Sequence, residues 1–308
     1  MKYEYLEPSG VVVLDKPFAL TAALFPIFPA PYMKRLIFLL IISAFFPCVI
    51  LAEGELGEKD IVYLDHAELP NDAAIHHQRV LLNELLTGLP EGHRLRLEFL
   101  TETPGGFPVR YIHKIVSVTK DDVPDGLEYI FRIHMPVGQI SVYKEGRLHG
   151  TTRIFKLKNV VGSDGKIHGE NYCAKEIPYS EGLVEGVQKS FFPNGKLASR
   201  AVYLKGKAEG EAQSYDEDGN PLRVSFMKNG KLHGQMIDYW KGTKQVQRVV
   251  SYENGAVHGS SRAYYKSGKL KWEREFKTNE LHGVEKHYSE DGNLEKENHW
   301  DSGTLIPD

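Results

Sequence analysis

Gly230-Lys231-Leu232-His233-Gly234 decides how this chain is built, because the segment recurs. Its equivalents are Gly182–Gly186, Gly206–Gly210 and Gly255–Gly259, then Asn279–Gly283, where an asparagine replaces the first glycine. The second glycines stand at 186, 210, 234, 259 and 283, giving steps of 24, 24, 25 and 24 residues. A fixed period of this length marks stacked supersecondary units rather than one conventional globular core.

Other columns keep the same period. Five residues after the second glycine comes an aromatic: Phe191, Tyr215, Tyr239, Tyr264 or Tyr288. Turn pairs follow at Asn194-Gly195, Asp218-Gly219, Lys241-Gly242, Ser267-Gly268 and Asp291-Gly292. Next is an aliphatic (Leu197, Leu222, Val246, Leu270, Leu294), and the unit closes on Tyr203, Phe226, Tyr252, Phe276 or Trp300. Asn-Gly and Asp-Gly between short alternating runs predict β-hairpins with both turn residues at φ > 0. One repeat is thus one hairpin, and the Gly-x-x-x-Gly segment leads to the next. The column residues fall on one strand face, where the aromatics are expected to stack as core. Weaker copies at Gly126, Gly146–Gly150 and Gly165–Gly169 carry the array back through 126–181, ahead of regular repeats over 182–308. A lone hairpin is marginal, so neighbours must share one continuous sheet. The expected fold is mainly β: one elongated, twisted antiparallel sheet of hairpins, with a small α/β N-terminal cap. Repeats should lie about 10 Å apart, and five should span roughly 50 Å.

The cap is expected over 53–125. Asn71 or Asp72 is placed to start a helix through Ala73–Thr87, ended by Gly88, with strands at Arg94–Leu100 and Val109–Val118. Its expected role is the polar covering that terminal repeats need. Further upstream, Met33-Lys34-Arg35, the apolar run Leu36–Phe46 and a small residue at Ala52 have the order of a secretory signal. The run is short for a membrane span, and an uncleaved anchor is the alternative. Residues 33–52 are therefore the expected signal peptide, and residues 1–32 a mis-assigned extension before a true start at Met33. Only Cys48 and Cys173 are present, so no disulfide framework is expected.

The columns, with Tyr-x-x-x-Gly-x-Leu following Gly-x-Leu-His-Gly, resemble the MORN repeat, and within it the bacterial variant found in YwqK-type antitoxins. The resemblance is strong over 182–302 and weaker over 126–181. It implies hairpin arrays, contacts with proteins or sometimes lipids, and no catalytic residues to carry over. An export signal departs from the pattern of a cytosolic antitoxin.

The charge balance excludes some partners. The formal net charge is −3, and residues 182–308 hold 19 Lys+Arg against 18 Asp+Glu, a net of +1. No nucleic-acid footprint follows from this, and adhesion to anionic lipid is not favoured. His149, His168, His233, His258 and His282 precede second glycines. A metal ladder needs ligands on one ion at about 2 Å. Equivalent positions in adjacent repeats are instead about 10 Å apart. Glu185 and Glu209 fill the same column. The column therefore reads as a polar turn residue bonding to backbone. Asp216–Asn220 has its glycine too early for an EF-hand and reads as a hairpin turn. No catalytic, metal or cofactor motif is found, and no enzyme is expected. Phe192, Trp240 and Tyr265, next to the aromatic column, must point to the opposite face and are the candidate binding residues. The expected function is a non-enzymatic protein, periplasmic, envelope-bound or secreted, that offers a binding or scaffolding surface to a protein partner. The alternatives are an antitoxin-like neutraliser of a cytoplasmic toxin and a lipid-associating module.

Overall fold

A computed structural model describes residues 61–65, 69, 78–102, 109–132, 135–163 and 165–307. The signal-like segment, residues 1–32 and the expected cap at Asn71 or Asp72 lie outside them. The order is β1 (Ile61–Leu64), α1 (Arg79–Thr87), β2 (His93–Glu102), β3 (Val109–Thr119), β4 (Pro124–Arg132), β5 (Met135–Lys144), β6 (Arg147–Leu148), β7 (Gly150–Val161), β8 (Ile167–Ser180) and β9 (Leu183–Val184). The repeats follow as β10 (Gly186–Phe191), β11 (Leu197–Leu204), β12 (Lys207–Tyr215), β13 (Pro221–Lys228), β14 (Lys231–Tyr239) and β15 (Val246–Glu253). Then come β16 (Ala256–Tyr264), β17 (Leu270–Lys277), β18 (Glu280–Tyr288), β19 (Leu294–Asp301) and β20 (Thr304–Ile306). All the strands belong to one open antiparallel sheet of hairpins. Two compact units divide between Asn171 and Tyr172.

The first unit holds a hydrophobic core. β1 pairs with β2, β2 with β3, β3 with β4 and β4 with β5. Alternation along β2 sends Leu95 and Leu97 to one face, opposite Ser117 and Ile115 of β3. α1 lies against β2. It contributes Leu81, Leu82 and Leu86, and Leu82, Leu97, Ile112 and Ile115 are completely buried. Each such side chain contributes about 1.5–3 kcal/mol, so this layer is the unit's main source of stability. The helix ends at Gly88, whose N–H reaches back to Glu84 and Leu86.

The second unit is a meander in which each strand from β10 to β20 pairs with the next. Two kinds of turn alternate. At the Asn194-Gly195, Asp218-Gly219 and Asp291-Gly292 sites, φ is positive only at glycine. Gly195 N–H donates to the Phe192 carbonyl, and Phe192 N–H to that of Lys196. This is a type I turn followed by a glycine bulge, not the primed turn expected there. The primed turns lie at the other connections. Lys205-Gly206, Asn229-Gly230 and Asn254-Gly255 have both residues left-handed, with φ near +50° and then +78 to +91°. Strand residues pair directly across them, as in Leu204↔Lys207. Loop length explains the difference, because only a two-residue loop needs both residues left-handed to match the twist of its strands. The single 25-residue step is explained too: Trp240 N–H bonds to Gln245, one residue further than in the sister turns.

Register also corrects two columns. Gly186, Gly234, Gly259 and Gly283 face Tyr203, Tyr252, Phe276 and Trp300, but Gly210 faces Met227 rather than Phe226. Likewise Tyr215 faces Pro221, where Leu222 was expected. The period of 24 fixes the slot, and the neighbouring aromatic and aliphatic lie one residue off it. Phe226 therefore belongs to the opposite face and is 40% exposed.

Two rows define the faces of the array. Ala201, Ala212, Ser225, Met236, Val250, Ser261, Arg274, Glu285 and Asn298 stand opposite one another on successive strands, on what we term the Ser225 face. Arg200, Gln213, Val224, Ile237, Val249, Arg262, Glu273, Lys286 and Glu297 form the matching row of the Val224 face. Every buried strand residue of β10–β19 lies on the Ser225 face: Ser225, Met236, Asp238, Val250, Ser261, Ala263 and Glu285. Among the described residues of this unit no second layer covers the sheet. Each hairpin carries a register shift, as between Ser190 and Phe191 or Ser214 and Tyr215, where a bulge locally bends its strand.

Candidate binding surface

Phe192, Trp240 and Tyr265 open the longer turns, in a column shared with Asp216 and Ser289. All five donate their N–H across the turn. Where the column holds a small polar residue, the side chain stabilises its own turn. Asp216 Oδ1 accepts from Asp218 N–H at 3.1 Å and Asn220 N–H at 2.8 Å, and Ser289 Oγ accepts from Asn293 N–H at 3.2 Å. Where it holds an aromatic, that side chain is free for other contacts. Trp240 and Tyr265 stand in neighbouring repeats, while the Asp216 turn separates Phe192 from them. All three rings are half-buried. Tyr265 Oη donates to the Tyr288 carbonyl at 2.8 Å. Ammonium groups flank the other faces: Lys266 Nζ lies 5.4 Å from the Trp240 ring centre, and Lys271 Nζ 5.4 Å from that of Tyr265. The Trp240 indole N–H is shielded from solvent and meets no acceptor among the described residues.

The column of Phe191 and Tyr215 to Tyr288 takes the Val224 face, but does not stack ring on ring. An aliphatic side chain stands across each hairpin: Leu197, Pro221, Val246, Leu270 or Leu294. The next ring is two strands away, about 10 Å, beyond the 4.5–7 Å of aromatic pairs. Tyr215 and Tyr288 instead hydrogen-bond through their hydroxyls to Gln213 and Glu273.

The polar column before the second glycine holds the primed turns. Glu185 Oε2 accepts from Lys205 N–H at 2.6 Å, and Glu209 Oε2 from Asn229 N–H at 2.7 Å. His233 Nδ1 accepts from Asn254 N–H at 3.5 Å. Each side chain thus ties its repeat to the turn of the following one. Among the described residues, no three His, Cys, Asp or Glu side chains converge as a metal site would require.

Two buried carboxylates anchor the Ser225 face. Asp238 accepts from Arg223 Nε at 2.6 Å and from the Arg248 guanidinium at 2.8 and 3.2 Å. Burial pushes its carboxyl up, but the hydrogen bonds and charges of both arginines outweigh that and hold it below the usual range. Glu285 is only 5% exposed. It takes Arg274 Nε at 2.6 Å, His287 Nε2 at 3.0 Å, Asn298 Nδ2 at 2.9 Å and Trp300 Nε1 at 3.0 Å. Burial again acts upward, yet the bonds from Asn298, His287 and Trp300 and the charge of Arg274 bring it down to about 2. Both groups have their partners already and serve the sheet rather than a ligand.

The lysines beside the rings went unnoticed in the sequence. Lys241, Lys244, Lys266, Lys269 and Lys271 are exposed. From 239 to 272 the chain has seven basic residues (Lys241, Lys244, Arg248, Arg262, Lys266, Lys269, Lys271) and one acid, Glu253. The signal was present, but a net charge summed over the array cancels it against acidic turns on either side.

The geometry matches what the family comparison finds. The family described as MORN repeat variant matches residues 184–205, 208–229 and 281–302. The two units between these matches, 232–254 and 257–278, share their register and turns, so the repeats run without a break. No curated protein matches the chain.

Proposed function

We propose that this MORN-type repeat protein is non-enzymatic, is exported to the periplasm, the cell envelope or the medium, and offers its sheet as a protein-binding or scaffolding surface. The supporting observation is the single-layer build of residues 172–307: no strand residue of β10–β19 on the Val224 face is buried, and no described element covers either face. A sheet that stabilises itself through turns and cross-strand contacts leaves broad surfaces available, and interfaces favour aromatic residues of the kind found at Trp240 and Tyr265. Export rests on the order of residues 33–52.

Two measurements test the proposal. Cell fractionation with intact mass should find a chain beginning at Glu53 outside the cytoplasm; an uncleaved cytoplasmic chain refutes export and favours a cytosolic neutraliser. Replacing Phe192, Trp240 and Tyr265 together by Ala should weaken capture of the envelope partner and barely shift the melting temperature. A large loss of stability would show that the rings are core instead.

A further inference from the structure

The longer turns form a row of tips at about 10 Å intervals, two strands per step. Their charges come in blocks. The second tip carries Asp216, Glu217 and Asp218, and the last carries Glu290 and Asp291. Between them, tips 240–245 and 265–269 contain no acid and four lysines, with Lys271 directly behind. Among the described residues none of these five ammonium groups has an ion-pair partner. Only Lys269 makes a hydrogen bond, to the Asp291 carbonyl at 3.4 Å. Elsewhere on the array Arg200, Arg223, Arg248, Arg262, Arg274 and Lys286 are all paired with carboxylates. Other lysines of the array, such as Lys205, Lys228 and Lys231, also have no ion pair among the described residues; what sets these two adjacent tips apart is that five such cations stand there with no acid, around two half-buried rings.

We infer that these two tips are a docking site for a short acidic peptide segment of a protein partner. The inference rests on the binding role proposed above and gives its partner a chemistry. Charge complementarity selects an anion. The flanking acidic tips limit its size. A bilayer or a nucleic acid laid along the row would press its phosphates against Asp216–Asp218 and Glu290-Asp291, whereas a segment spanning one interval meets only lysines. Acidic side chains three residues apart on an extended peptide are about 10 Å apart, which matches the interval. The Trp240 and Tyr265 rings supply apolar contact between the charges, as at interface cores.

Four probes presented to the full chain test the site: a labelled decapeptide with Glu at every third position and Ser elsewhere, its Gln/Ser counterpart, vesicles of phosphatidylcholine with phosphatidylserine, and oligothymidylate. The Glu/Ser peptide should bind best, and more weakly as salt rises. Combined Lys241→Glu, Lys244→Glu and Lys266→Glu should weaken it by about tenfold or more, with an unchanged melting curve. The same reversal at Lys205, Lys228 and Lys231 on the primed turns should change binding by less than about twofold. Equal binding of the two peptides, equal loss in both triple variants, or preference for vesicles or oligothymidylate each overturns the site. A chain that retains an envelope protein but ignores the Glu/Ser peptide sinks the acidic docking site and leaves the binding role standing. A chain that takes the peptide yet stays uncleaved in the cytoplasm sinks export and leaves the site standing.

Discussion

Glu285→Gln should unfasten the C-terminal repeats. The carboxylate is held from β17, β18 and β19: Oε1 is ion-paired with Arg274 and hydrogen-bonded to His287, and Oε2 accepts from Asn298 and Trp300. An amide is uncharged and has one acceptor oxygen, so the Arg274 ion pair is lost and in either orientation its NH₂ confronts donors that the carboxylate had satisfied. The displacement of the carboxyl from 4.5 to about 2 corresponds to about 3 kcal/mol of differential stabilisation of the charged form. Because the folded value lies below the unfolded one, this contribution is complete above about pH 5 and is lost as pH falls toward 2. Roughly half is gone by about pH 3. Stability in a repeat array is local, so the fitting assay is hydrogen exchange on peptides covering 283–300. Protection there should fall about a hundredfold in the variant at neutral pH, with β10–β13 unaffected, and the gap should narrow near pH 3. A fall of less than about threefold, or a gap indifferent to pH, would refute the reasoning.

Other outcomes follow from the turns and the core. Thr278 is β-branched at φ +51°, where sister turns use Asn229 and Asn254; Thr278→Asn should raise stability by about 0.5–1 kcal/mol in urea melts. Asn279→Gly restores the sequence pattern yet should bring no gain, because Asn279 Oδ1 accepts from Val257 N–H at 2.8 Å. Deleting Thr243 shortens the long turn to the length of its sisters and should cost less than about 1 kcal/mol by the same melts. Leu97→Ala, at a completely buried site, should cost about 2–5 kcal/mol and show as early loss of exchange protection in β2 and β3 alone.

The hairpin architecture was legible because the glycine and aromatic columns mark both ends of every strand. Turn type was not, since Asn-Gly suits a primed turn and a glycine bulge equally, and only the pairing register tells them apart. Nor does residue type announce Lys205 or Glu181 at φ near +50°. Pro221 and Met227 were missed because residue class was followed where position ruled. For the candidate surface, the repeat columns were enough to place Phe192, Trp240 and Tyr265 at the openings of the longer turns, next to the Tyr215 column. The lysines needed the fold, which sets two basic tips side by side and confines the acids to their neighbours.

One set of bonds gives the array a direction. The second residue of each primed turn donates its N–H to a carbonyl one repeat earlier: Gly206 to Val184, Gly230 to Ala208, Gly255 to Leu232, Asn279 to Val257 and Gly303 to Leu281. In this backbone series each unit is thus clasped by its successor. A chain emerging N-terminus first finds the receiving carbonyl already in place whenever a new hairpin closes, so growth proceeds like a zip drawn one way. Unravelling from the C-terminal end releases one clasp at a time, whereas a break in the middle must undo two neighbours at once.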